Sequence, residues 1–131
     1  MNLYIAGMIG AGAAVGAWVR WGLGIVLNPL FTFLPLGTLA ANMIGGYLMG
    51  IALVLLEGNP LVSPEMRLMA TTGFLGGLTT FSTFSGESVT LFTRGEYGWM
   101  SLLVVSHVAG SILMTFLGVL TVRWVKSWGI G

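Results

Sequence analysis

The sequence predicts an all-α integral membrane protein of four transmembrane helices, the third of them broken, with 1–131 forming a single membrane domain. Three observations predict it. Hydrophobic residues make up 56% of the chain and charged residues 7%, where soluble domains carry about 25% charged residues. The few charges fall at the margins of long uncharged windows. Proline and turn residues lie between those windows.

A bilayer core takes roughly 20 apolar residues in helix, and the windows place spans near 3–27, 36–56, 65–93 and 99–124. The first window ends at Arg20 and is not read as a cleavable signal, because no Lys or Arg precedes it and it exceeds a signal's apolar core. Its connection to the second, Asn28-Pro29-Leu30-Phe31-Thr32-Phe33-Leu34-Pro35, carries a helix-breaking proline near each end. Glu57-Gly58-Asn59-Pro60 is turn chemistry. Ser63-Pro64-Glu65 then reads as an N-cap, a first-turn proline and an acid at the positive end of a helix. Arg94-Gly95-Glu96-Tyr97-Gly98 joins the last two spans. Trp21, Trp99, Trp124 and Trp128 stand near span ends, as interfacial aromatics do.

Charge and cysteine content narrow the function classes. The net charge of +1 offers nothing to nucleic acid, and the absence of cysteine rules out disulfides and thiolate metal sites. With four spans both termini share a side, holding Arg67, Arg123 and Lys126 against Arg20 and Arg94 on the other. An excess of one sets orientation weakly. One reading is a slight cytoplasmic bias. The other is dual topology, with copies inserted both ways and paired antiparallel like an inverted repeat. Four short helices close on one another, so a route across the bilayer calls for an oligomer. Gly12/Gly16, Gly46/Gly50 and Gly73/Gly77 are GxxxG pairs, read first as packing within the subunit.

Polar residues inside the spans are the functional candidates, since hydrocarbon makes each one costly. Thr38, Asn42, Gly46 and Gly50 share a face of span two. There Asn42 is either an interhelical hydrogen bond or a donor lining a polar path. His107, Ser111, Thr115 and Gly118 form a similar face on span four, where His107 reads as a hydrogen-bonded packing residue before a proton relay. Arg20 and Glu87 sit near span ends. Span three is the most informative. Paired glycines followed by threonines are poor helix, so a break is expected after Gly76. Hydroxyls at Thr79, Thr80, Ser82 and Thr83 cluster there, with Phe81 and Phe84 interleaved at i, i+3. Aromatic edges carry partial positive charge. Beside hydroxyl donors they can hold a small anion loosely enough to release it.

The run Gly76-Gly77-Leu78-Thr79-Thr80-Phe81-Ser82-Thr83-Phe84-Ser85 resembles the signature of the CrcB/Fluc fluoride channels. Gly16-Ala17-Trp18-Val19-Arg20-Trp21, Gly37-Thr38-Leu39 with Asn42, and Gly110-Ser111 agree with it in order along the chain. The resemblance implies a non-enzymatic, passive fluoride exporter of the bacterial inner membrane. It implies an antiparallel dual-topology homodimer with two pores along the subunit interface. Phe81 and Phe84 would line the pores, Asn42 would donate to the ion, and Ser82 and Thr83 would supply a polar track. A structural sodium ion, not transported, would be bound by the backbone carbonyls of Gly76 and Thr79. Arg20 and Glu87 would lie toward the vestibules or pore mouths. Some members carry a tyrosine two turns before the span-four serine; Leu103 and its neighbours offer none.

Two other classes compete. A small proton-coupled multidrug exporter needs a membrane-embedded carboxylate, yet Ala13 and Ala14 occupy the middle of span one and Glu87 lies near a span end. A non-transporting assembly subunit would have no use for clustered hydroxyls at a mid-bilayer break.

Overall fold

The structure, a computed structural model, describes residues 2–129. Helix α1 (Leu3–Leu27) starts at Asn2, whose side chain accepts the Tyr4 N–H at 3.0 Å. It runs into a single 3₁₀ turn, Asn28–Leu30, which contains Pro29. Asn28 Oδ1 then accepts the Gly37 N–H at 2.8 Å and staples the connection to the start of α2 (Leu36–Leu55). Trp99 stacks on Phe33 with centroids 5.1 Å apart, so it pins this connection as well as marking a span end. Trp18, Trp21, Trp124 and Trp128 are exposed, as rings at a membrane interface should be.

The segment expected as span three is helical in pieces. Ser63 Oγ caps it by accepting the Met66 N–H, and Pro64 opens α3 (Pro64–Leu68). A π-helical stretch, Met69–Leu75, follows, in which the Gly76 N–H reaches back five residues to the Thr71 carbonyl. Then come α4 (Gly76–Leu78), two extended residues, Thr79 and Thr80, and α5 (Phe81–Thr93). The break therefore lies at Thr79–Thr80 and not directly after Gly76. Gly76 and Gly77 remain helical, and the β-branched threonines take the extended backbone they prefer. Thr80 caps α5 by accepting the Thr83 N–H at 3.2 Å.

Helix α6 (Tyr97–Ser127) is longer at both ends than the sequence suggested. Among the described residues, Leu3–Leu30, Leu36–Leu55 and Tyr97–Ser127 are long and apolar enough to cross a membrane as single helices.

Glycines set the packing. A Cβ on Gly12 or Gly16 would strike the backbone at Met69, Phe74 and Leu78; one on Gly73 or Gly77 would strike Ile9 and Ala13. Two GxxxG pairs thus face each other where α1 meets the π stretch and α4. Gly46 and Gly50 meet Ser111 and Thr115, while Gly118 meets Tyr47 and Ile51, so α2 and α6 touch main chain to main chain. All three GxxxG pairs are spent inside the subunit, where close approach maximises van der Waals contact between helices. The first half of the broken segment packs on α1 and the second half on α6. A straight helix would not serve both neighbours, and the break supplies the change of course.

Candidate functional site

The break exposes main-chain groups in the middle of the bundle, and Asn42 on α2 answers them. Its Oδ1 accepts the Thr80 N–H at 2.8 Å and its Nδ2 donates to the Thr80 carbonyl at 3.0 Å. In a continuous helix the Thr80 and Thr83 amides would serve the Gly76 and Thr79 carbonyls. Here they go to Asn42 Oδ1 and Thr80 Oγ1 instead. Between them, the Gly77 carbonyl accepts from Arg20 Nε at 3.1 Å. The carbonyls of Gly76 and Thr79 thereby lose their helical donors. Neutral oxygens of this kind suit a hard cation, the ligand type that the family resemblance implies for sodium.

Around the break lies a cavity of about 400 Å³. It brings together Asn42, Gly76, Thr79, Phe81 and Phe84 with Thr80, His107, Ser111 and Thr115, all of them singled out in the sequence. None of its lining residues is Asp, Glu, Lys or Arg. The two phenylalanines meet edge to face, centroids 5.4 Å apart, yet differ in environment. Phe81 is 76% exposed and Phe84 only 7%. Phe84 packs in a core with Leu34, Leu91 and Leu103. Leu103, noted in place of a tyrosine, therefore backs the Phe84 ring with hydrocarbon.

The remaining candidates stand apart from this cavity. Glu87 and Thr83 line a second one of about 610 Å³ together with Thr90, Arg94 and Glu96. Glu87 Oε1 accepts from Thr38 Oγ1 at 2.6 Å, and its Oε2 is buried without a partner among the described residues. Ser82 Oγ lies 3.3 Å from Thr80 Oγ1 and, like Thr83, faces outward. Arg20 is tied to α4 through the Gly77 carbonyl. The sequence singles out the hydroxyl of Thr80 but not its part as cap and as partner of Asn42. Nor does it reveal that His107 Nδ1 lies 2.9 Å from Asn42 Nδ2 and that its ring stacks on Phe84. The helical face shared by Thr38 and Asn42, and that of His107 and Ser111, were the available signals. They place residues on a helix but do not show which faces meet.

A family model described as CrcB-like protein, Camphor Resistance (CrcB), matches residues 7–119. The chain is 59% identical over 125 residues to a protein of Nitrosospira multiformis named fluoride-specific ion channel FluC, covering 95% of this chain and 98% of that one. It is 55% identical over 126 residues to a protein of the same name from Thiobacillus denitrificans, covering 96% and 100%. A third, from Nitrosomonas europaea, is 51% identical over 119 residues, covering 91% and 94%. Matched over most of its length by the family model and by these relatives, the chain belongs to the CrcB family.

Proposed function

We propose that this protein is a fluoride-selective channel of the bacterial inner membrane that lets cytoplasmic fluoride leave passively. The observation that carries this reading is the uncharged cavity at the helix break, where Asn42, Phe81 and Phe84 meet hydroxyls and freed carbonyls. Hydroxyl donors with ring edges attract an anion without a fixed cation to trap it. The relatives' names point to fluoride as that anion. A membrane potential negative inside drives an anion outward with about 2.3 kcal/mol per charge per 100 mV, so a selective hole lowers cellular fluoride unaided. A proton-coupled exporter would call for a carboxylate in the central cavity, and its lining contains none.

The working unit in this reading is an antiparallel homodimer of four-span subunits. Phe81, Ser82 and Thr83 are exposed at mid-span on a single subunit, where lipid would leave hydroxyls poorly satisfied. A second copy placed against that face covers them and completes a polar route. Because the GxxxG pairs are occupied internally, the broken segment is the natural meeting surface. Phe81 and Phe84 line the route, Asn42 forms its wall at the break, where the Thr80 carbonyl and His107 engage its amide hydrogens, and Ser82 and Thr83 extend the track. Arg20 and Glu87 lie toward its ends. The Gly76 and Thr79 carbonyls would hold a structural sodium ion at the dimer interface, which would join the subunits and would not itself be transported.

The test is anion efflux from liposomes holding purified protein. Fluoride should leave far faster than chloride. Equal rates for the two ions, or no fluoride efflux from well-folded protein, would refute the reading.

A further inference from the structure

We propose that His107 is a positioning residue for conduction: a neutral imidazole, protonated on Nε2, that holds the Asn42 amide and the Phe84 ring in place. The proposal rests on the fluoride-channel reading for its conduction part and on geometry alone for its tautomer.

The argument starts at the main chain. A backbone N–H only donates, so the Asn42 atom 2.8 Å from Thr80 N is the amide oxygen. A carbonyl only accepts, so the atom 3.0 Å from Thr80 O is the NH₂ nitrogen. The break therefore fixes the amide orientation, which is otherwise ambiguous. The same nitrogen lies 2.9 Å from His107 Nδ1. An amide nitrogen does not accept, so Nδ1 presents its lone pair and the ring proton sits on Nε2. An imidazolium would set one N–H against another. His107 is 3% exposed, so no bulk water stands ready to take over either contact.

The ring itself does a second job. It stacks on Phe84 with centroids 4.7 Å apart and planes at 28°. One side chain on α6 thus touches both the amide on α2 and the aromatic ring on α5. Its Nε2 is buried and has no partner among the described residues. An unpaired buried donor lowers stability, which a leucine of similar bulk would avoid. What leucine lacks is the lone pair that engages the second Asn42 hydrogen and the flat face against Phe84. Without that acceptor the hydrogen is left unpaired and the amide is free to swing away from Thr80.

The test uses the full chain in liposomes and exploits the fact that His107 is the sole histidine. Nitrogen-15 NMR of histidine-labelled protein should show one ring, unprotonated at Nδ1 and protonated at Nε2. The opposite tautomer, or a charged ring at neutral pH, overturns the proposal whatever the channel conducts. In efflux measured at equal folded protein, His107→Leu should slow fluoride release by about tenfold. His107→Asn, whose Oδ1 can stand in for Nδ1, should recover most of that loss. Leucine conducting within twofold of the parent, or asparagine no better than leucine, overturns the positioning role. Failure of the parent protein itself to conduct fluoride would instead strike at the channel reading, leaving the tautomer result to stand.

Discussion

Asn42 pairs with the peptide of Thr80 as a neighbouring β-strand would, giving one acceptor and one donor to the same residue at 2.8 and 3.0 Å. The side chain thus replaces two main-chain bonds that the broken segment has lost. Asn42→Asp keeps the acceptor but loses the donor and places a negative charge on the proposed path of the anion. We expect fluoride efflux to fall at least tenfold and thermal stability to drop by about 1–3 kcal/mol, the range for a buried group left unpaired. Liposome efflux and thermal unfolding in detergent check the two effects separately. Parental efflux from the aspartate variant would move the pore elsewhere.

The two phenylalanines should separate stability from conduction. Phe81 is exposed on the subunit, whereas Phe84 sits in a core and stacks on His107. Phe81→Ile and Phe84→Ile both remove a positive ring edge, so both should lower fluoride efflux. Within a subunit only Phe84→Ile should destabilise noticeably, by about 1–3 kcal/mol, through altered shape in a packed core. Normal efflux from both variants at equal dimer content would sink the assignment.

Sodium dependence follows from the freed carbonyls of Gly76 and Thr79. Efflux should fall when sodium is rigorously replaced by a large organic cation, with no sodium flux detected by isotope in the active protein. Because the proposed ligands are backbone atoms, Thr79→Ser should leave the dependence intact. Undiminished efflux without sodium would remove these carbonyls as a cation site.

Glycine substitutions offer a control for packing. Gly16→Ala drives a methyl group into the main chain at Phe74 and Leu78, while Gly7→Ala meets nothing within 4 Å. The first should cost about 1–3 kcal/mol, as overpacking does. The second should be neutral or slightly stabilising, because alanine favours helix. Melting temperatures of the two proteins side by side decide the matter.

Orientation is testable through charge. If the chain crosses four times, three basic residues stand against two and give it little preference. A reporter fused at the C-terminus should therefore signal from both sides of the membrane. Two lysines inserted after Lys126 should collapse the signal to one side and reduce efflux. A parent protein found in a single orientation would end the dual-topology reading.

The three uninterrupted spans were legible because uncharged windows, proline and turn residues mark their ends. Ser63-Pro64 was legible for the same reason: cap chemistry is local. The π stretch at Met69–Leu75 was not, since it shifts hydrogen bonds by one residue without a side-chain pattern to announce it. The break was expected from Gly76 and Gly77 but falls at Thr79–Thr80, because Gly77 is held helical against Ala13 by tertiary packing. At the site, the run from Gly76 to Ser85 supplies Gly76, Thr79, Thr80, Phe81 and Phe84 of the cavity lining, and helical periodicity places Asn42 on a polar face. That His107 engages both Asn42 and Phe84 depends on how α2, α5 and α6 meet, which no single-helix periodicity contains.

The unequal lengths of α2 and α6 bear on the bilayer itself. At 1.5 Å per residue, the 20 residues of α2 extend about 30 Å, while the 31 residues of α6 extend about 46 Å. The first figure equals a typical hydrocarbon thickness and the second exceeds it by some three turns. Since the two helices are locked together through Gly46, Gly50 and Gly118, they cannot adjust separately. The surplus of α6 lets Arg123, Trp124 and Lys126 reach headgroups over a range of depths. Helix α2 has no such reserve, with Pro35 before it and Glu57 just beyond it. Hydrophobic mismatch therefore falls first on α2, the helix that carries Asn42, and lipid chain length becomes a means of straining the central cavity from outside.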